Sequence, residues 1–208
     1  NDELLVSKNS SIKSIADLAG KKLGIIPGIQ FRTVANKILS SNNVSAKDVV
    51  YAEIAIPNQL VALSTGDVDA VLTLEPVGTL GASKNVSRIL AASPMVKFVS
   101  DPWCGGAGVV TSKFLSERPA DARKFVKVML EAQQEAYVNS STREYLVKYL
   151  NLPKQIAYSV PLPIFVDSAK MTQAQISAYQ KFVDEFYSQG VIKSSPDVRT
   201  MLLQPSGG

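Results

Sequence analysis

The sequence predicts an α/β fold, a mixed and mostly parallel sheet flanked by helices, followed by a mainly helical second half. Two observations carry this. Through the first half, short apolar runs alternate with amphipathic helical patterns, the order that yields parallel strands with helices on the sheet faces. From Ala120 onward, long stretches with apolar residues at i, i+3, i+4 spacing take over. The 208-residue chain therefore divides into residues 1–111, an α/β lobe with crossover strands, and residues 112–208, a mainly helical region.

The elements follow in order. Leu4, Leu5 and Val6 form a short strand, and residues 11–18 a turn with a short helix. Residues 23–26 read as a buried strand, broken by Pro27-Gly28. A helix over about residues 30–41 buries Val34, Ala35, Ile38 and Leu39, and Asn42-Asn43 ends it. Residues 49–56 read as a strand stopped by Pro57. In residues 60–78, Leu60, Val61 and Leu63 sit at helical spacing, and Gly66 supplies a left-handed stop. Residues 68–74 are then an apolar strand buried on both faces, with Glu75-Pro76 at its end and a helix running on to Ser83. Residues 88–91, 96–99 and 109–111 read as strands, and residues 101–106 as a bend. Helices follow over residues 120–138, 142–150, 171–188 and 198–203. The first carries a stripe of Phe125, Val128, Met129, Ala132 and Ala136. The third turns Ile176, Tyr179, Phe182, Val183 and Phe186 inward, and Gly190 ends it. A terminal Ser-Gly-Gly is the one low-complexity segment.

Composition excludes several classes. A hydrophobic content of 46% supports a packed core. The net charge of +4 is scattered, with no basic run for nucleic acid, so no nucleic-acid partner is expected. The single cysteine, Cys104, excludes an internal disulfide and a cysteine-built zinc site. With no histidine, every histidine-dependent triad and imidazole metal site is excluded; neither metal nor cofactor is expected. No apolar run approaches the ~20 residues of a membrane-spanning helix.

Three polar events fall at strand ends, and parallel strands would bring them to one sheet edge, where open α/β sheets bind ligands. The first holds Gly28, Gln30, Phe31 and Arg32: helix-terminal N–H groups attract anions, Arg32 adds a fork of donors, and Gly28 lets a ligand approach the backbone. A plain strand-to-helix turn with Arg32 in water fits the same residues. The second holds Asn58, equally a helix cap or a ligand contact. The third is Glu75, a ligand contact or an acceptor for its own helix. Trp103, in a glycine-rich bend, walls a pocket or covers a core. Cys104, without a histidine to activate it, reads as a small apolar residue.

Ser14-Ile15-Ala16-Asp17-Leu18-Ala19-Gly20-Lys21-Lys22-Leu23-Gly24 resembles a segment common among solute-binding proteins of ABC transporters. Leu63, Gly66-Asp67-Val68-Asp69-Ala70 and Glu75-Pro76 are similar to the matching segment of the nitrate/sulfonate/taurine and thiamine-pyrimidine precursor branch, and Pro119-Ala120 opens a helix like that branch's. The resemblance runs from about Leu4 to about Val138. It implies the type 2 periplasmic-binding fold, in which two lobes close on a ligand, with residues 1–111 as the ligand-binding lobe. It also implies that the N-terminal lobe is largely absent here, so that residues 112–208 belong to an incomplete first lobe. The stripes of residues 120–138 and 171–188 then need cover, from a second copy or by strand or lobe exchange. The implied function is the extracytoplasmic solute-binding component of an ABC transporter for a small anion or organic solute, with the permease as partner. The alternatives are an enzyme or a regulator effector domain on the same fold. The pyrimidine-synthase relatives rely on histidine, which this sequence lacks.

Overall fold

The computed structural model of the protein describes residues 1–203. The terminal Ser-Gly-Gly lies outside the described residues. Five strands form one sheet: β1 (Asp2–Ser7), β2 (Lys22–Ile25), β3 (Val50–Glu53), β4 (Ala70–Leu74) and β5 (Ser87–Ala92), in the order β3-β2-β4-β1-β5. β2 runs parallel to β3 and β4, whereas β1 is antiparallel to β4 and β5. Four strands therefore share one direction and β1 opposes them.

The period-2 alternation of strand side chains divides the core between the two sheet faces. On one face Leu4 and Val6 of β1 with Ala70 and Leu72 of β4 meet Val34, Ala35, Ile38 and Leu39 of helix α1 (Ile29–Ser40). On the other, Leu5 and Val71 meet Leu63 of α2 (Ile56–Thr65) and Val77 of α3 (Val77–Ser83). The central strand β4 is thus buried on both sides, as its unbroken apolar run requires. Gly66 ends α2 with φ 81°, in the left-handed region that a side chain would strain.

Three strand expectations change. The strand expected over residues 49–56 stops at Glu53, because Ile56 and Pro57 open α2. Proline has no N–H to lose in a first turn, so it starts this helix rather than merely ending a strand. Residues 96–98 are helical, within α4 (Pro94–Phe98), which Val99 caps, again with proline at the start. The Met95 side chain is fully buried, and its N–H donates to Asp2 Oδ2 at 2.7 Å. Residues 109–111 form no strand: Val109 is 83% exposed, and the Thr111 hydroxyl accepts from Phe114 N–H at 3.1 Å to cap α5 (Ser112–Glu117).

The second half is helical: α6 (Pro119–Val138), α7 (Glu144–Leu150), α8 (Lys154–Ser159) and α9 (Gln173–Ser188). Residues 198–200 make a single 3-10 turn in place of the last helix. Of the α6 stripe, Phe125, Val128 and Met129 face outward, and Ala122 is the residue the helix buries. Helix α9 is nucleated by a capping box, Thr172 and Gln175 each accepting from the other's backbone N–H, at 3.2 and 2.8 Å. It docks on α1 rather than on α6. Lys37 pairs with Glu185 at 3.0 Å, and Gln189 accepts from Asn36 Nδ2 at 3.0 Å while donating to the Thr33 carbonyl at 2.9 Å. Phe182 reaches the first core cluster. A part of the helical half therefore packs on the α/β body.

Candidate functional site

The parallel register places the C-terminal ends of β2, β3 and β4 at one sheet edge. The chain leaving β2 enters α1, that leaving β3 enters α2, and that leaving β4 enters α3. The start of β1 joins them from the opposite direction, Asn1 accepting from Glu75 N–H at 3.1 Å.

At the first loop, Gly28 caps α1 with φ 127° and ψ 145°, a conformation open to glycine and costly for a side chain. Its carbonyl accepts from Phe31 N–H at 3.1 Å. The first turn of α1 carries no acidic residue, so its terminal N–H groups keep their partial positive charge. Arg32 is turned away along the sheet edge. Its guanidinium lies over the Tyr51 ring, 4.6 Å from the centroid, and Nη2 stands 3.6 Å from Glu53 Oε1. Much of its charge is therefore matched by β3.

Gln30, Phe31 and Trp103 come together. With Tyr179, Phe182 and Phe186 of α9, and with Cys104 to Ala107, they line a half-open depression of about 250 Å³. Trp103 meets Phe182 edge to face at 6.4 Å, and Phe182 meets Phe186 likewise at 5.0 Å. Gly105 makes this possible, since a Cβ there would sit 2.8 Å from the indole ring. The Trp103 Nε1 is buried without a partner among the described residues. Burial raises the Cys104 thiol and the Tyr179 phenol above their ordinary values, so both stay neutral at pH 7.

Asn58 is not part of this group. It is exposed, donates its N–H to the Ala55 carbonyl at 2.9 Å, and lines a separate depression of about 410 Å³ between α2 and β3. Glu75 serves its own helix: its carboxylate accepts from Thr79 N–H at 3.1 Å and from Thr79 Oγ1 at 2.9 Å.

The structure adds polar groups that sequence reading passed over. Glu3, 8% exposed, points its carboxyl beneath α3, where Gly78 leaves room; Oε2 has no partner among the described residues. Burial first, and then the charge of Glu75, push its carboxyl up to about 7. Gln59 and Thr73 are fully buried and paired, Thr73 Oγ1 donating to Gln59 Oε1 at 2.5 Å; Gln59 Nε2 donates to the Ile54 carbonyl at 3.3 Å. This pair ties β4 to the loop after β3. The only signal for it was one polar residue inside the apolar run of β4. The aromatic residues of α9 were legible as an inward stripe, but no pattern said that α1 receives them.

Among the described residues, no group of three or more His, Cys, Asp or Glu could hold a metal ion, and no helix is long and apolar enough to cross a membrane.

A mixed sheet with one opposing strand, helices on both faces and its helix-entry loops gathered at one edge is a lobe of the periplasmic-binding type. The structure of the alkanesulfonate-binding protein SsuA from Xanthomonas axonopodis pv. citri, bound to MOPS, shares this fold at a TM-score of 0.76, with 18% identity over 98% of this chain and 70% of that one. Residues 1–141 match the model of the NMT1/THI5-like family, and the chain belongs to that family. It is 30% identical over 129 residues to a Bacillus subtilis (strain 168) protein named as an aliphatic sulfonates-binding protein, covering 62% of this chain and 38% of that protein. An Escherichia coli (strain K12) protein named likewise is 23% identical over 211 residues, covering 98% of this chain and 63% of the relative. The chain thus spans less than two thirds of the length of these relatives. The resemblance drawn from residues 14–24 and 63–76 is borne out in family and in fold.

Proposed function

We propose that this chain is the ligand-gripping portion of an extracytoplasmic solute-binding component of an ABC transporter, taking a small organic anion of the sulfonate kind. Residues 1–111 form the gripping lobe in this reading, and residues 112–208 serve the facing lobe and its support, with α9 bridging back to α1. One observation carries the proposal: the amide end of α1, free of acidic residues, opens beside an uncharged depression at the edge where three helix-entry loops gather. The relatives' names point to the same solute class. Affinity comes from Gln30 and the α1 N–H groups, with Phe31 and Trp103 as the wall. Arg32, matched by Glu53 and Tyr51, contributes through the field rather than through contact. Asn58, in a separate depression, and Glu75, bonded to Thr79, stand outside the contact set in this reading. The reading is one of binding without turnover. The partners are the solute, the transporter's permease, and a second copy of the chain over the exposed stripe of α6.

Calorimetric titration with ethanesulfonate, taurine and nitrate tests the proposal. At least one is expected to bind, and Gln30→Ala to weaken it by about ten-fold, the loss of one hydrogen bond to a charged group. No heat with any of the three, or equal affinity in Gln30→Ala, rejects the site.

A further inference from the structure

We infer that the depression between the start of α1, the segment 103–107 and α9 is a subsite for a single aromatic ring, so that the solute is an aromatic acid of one ring; this rests on the solute-binding reading above.

The chemistry of the lining selects the class. No Lys, Arg, Asp or Glu lines the depression, so the part of a ligand that enters is uncharged. The walls are aromatic on several sides, with Phe31 from α1, Trp103 from the crossover segment, and Phe182 and Phe186 from α9. Successive rings stand at 87° to one another, so faces and edges are both on offer. An aromatic guest gains from such geometry beyond its buried area, and a saturated chain gains the area alone. The volume of about 250 Å³ exceeds the roughly 150 Å³ of a cavity that accepts benzene, leaving room for one ring and its substituent. The segment from Cys104 to Ala107 borders the depression without a charged side chain, and an added Cβ at Gly106 would meet nothing within 4 Å. Gln30, one residue into the first turn of α1, borders the same space. A ring in the depression therefore leaves its acid group outside, beside the amide end of the helix.

The chain carries a single tryptophan, Trp103, so its fluorescence reports this depression alone. Benzenesulfonate, cyclohexanesulfonate and ethanesulfonate are titrated in parallel, by Trp103 emission and by calorimetry. Benzenesulfonate is expected to change the emission and to bind about ten-fold or more tighter than ethanesulfonate, with cyclohexanesulfonate between them. Gly106→Leu, which puts bulk on the segment bordering the depression, is expected to bring the ratio of benzenesulfonate to ethanesulfonate affinity down to about one. Equal affinities with silent emission overturn the ring subsite and leave the solute-binding reading standing. No binding of any of the three by calorimetry overturns both. Benzenesulfonate bound equally well by Gly106→Leu places the ring elsewhere and rejects the subsite.

Discussion

Glu3 is the residue whose environment most resists its charge. Its carboxyl sits under α3 with one oxygen unpartnered among the described residues, close to the like charges of Glu75 and Asp2. A carboxyl held up to about 7 favours the protonated, folded form. Its contribution to stability is complete below the ordinary glutamate value of 4.5 and is lost as pH rises through about 7. Glu3→Gln is expected to remove that slope and to be more stable than the parent above pH 7, by on the order of 2 kcal/mol. Urea midpoints from pH 4.5 to 8 check this; parallel curves for the two proteins would count against it. Gly78 is the other half of the arrangement. Glycine-to-alanine in a helix ordinarily gains about 1 kcal/mol. Here the new Cβ would lie 1.4 Å from Glu3 Oε2, and that overlap decides the sign. Gly78→Ala is expected to destabilise by about 1–3 kcal/mol, and to turn neutral or stabilising in a Glu3→Ala background. A cycle without coupling would show that the two residues do not share the space.

At the scale of elements, what the sequence disclosed depended on length and punctuation. The both-face burial of β4 and the α1 apolar face followed from periodicity over enough residues to be unambiguous. α4 did not, because a five-residue apolar stretch fits a strand as well as a helix, and only the Asp2 carboxylate waiting for the Met95 N–H decides between them. The boundary of β3 falls short of the expected one because Pro57 starts a helix instead of stopping a strand. For the site, the gathering of loops at one edge was legible from the alternation of strands and helices. The partners of Arg32 and the seat of α9 were not, since both depend on contacts between distant parts of the chain. That seat is testable. Gln189 bridges Asn36 and the Thr33 carbonyl, and no other described side chain accepts from Asn36 Nδ2. Gln189→Ala is expected to cost about 1–2 kcal/mol and to speed amide exchange along the C-terminal turns of α9, leaving β2 and β4 unchanged. Unaltered exchange in α9 would mean that Phe182 and the Lys37–Glu185 pair hold the helix unaided.

Across the whole molecule, burial is uneven. Both core clusters are built on the sheet, and among the described residues beyond 99 only Trp103 and Phe182 pack against them. Helices α5 to α8 bury few large side chains: Ile156 of α8 is the main one, joined by Leu152 from the connection between α7 and α8. Meanwhile Phe125, Val128 and Met129, one turn apart on α6, are exposed, as are Tyr145, Tyr149 and Leu150 on α7. Contiguous apolar surface of this kind is uncommon on a monomer and binds apolar probes. Stability in such a molecule is graded: segments with few buried contacts open at low free energy, and the sheet opens last. Hydrogen exchange under native conditions is expected to show β1, β2 and β4 as the slowest elements and α5 to α8 as the fastest, separated by at least about 2 kcal/mol of opening free energy. At dilution, where no second copy covers α6, an apolar fluorescent dye is expected to bind the folded chain, and Phe125→Lys with Met129→Lys to abolish most of that binding, because the two positions share one helix face four residues apart. Neither substitution touches the sheet, so both exchange rates and melting of the α/β body should be conserved in the double variant. Uniform protection across the chain, together with no dye binding before the change, would mean that the helical half is covered as well as the sheet is, with self-association over α6 as the cover; sedimentation of parent and variant then separates a dimer from a monomer.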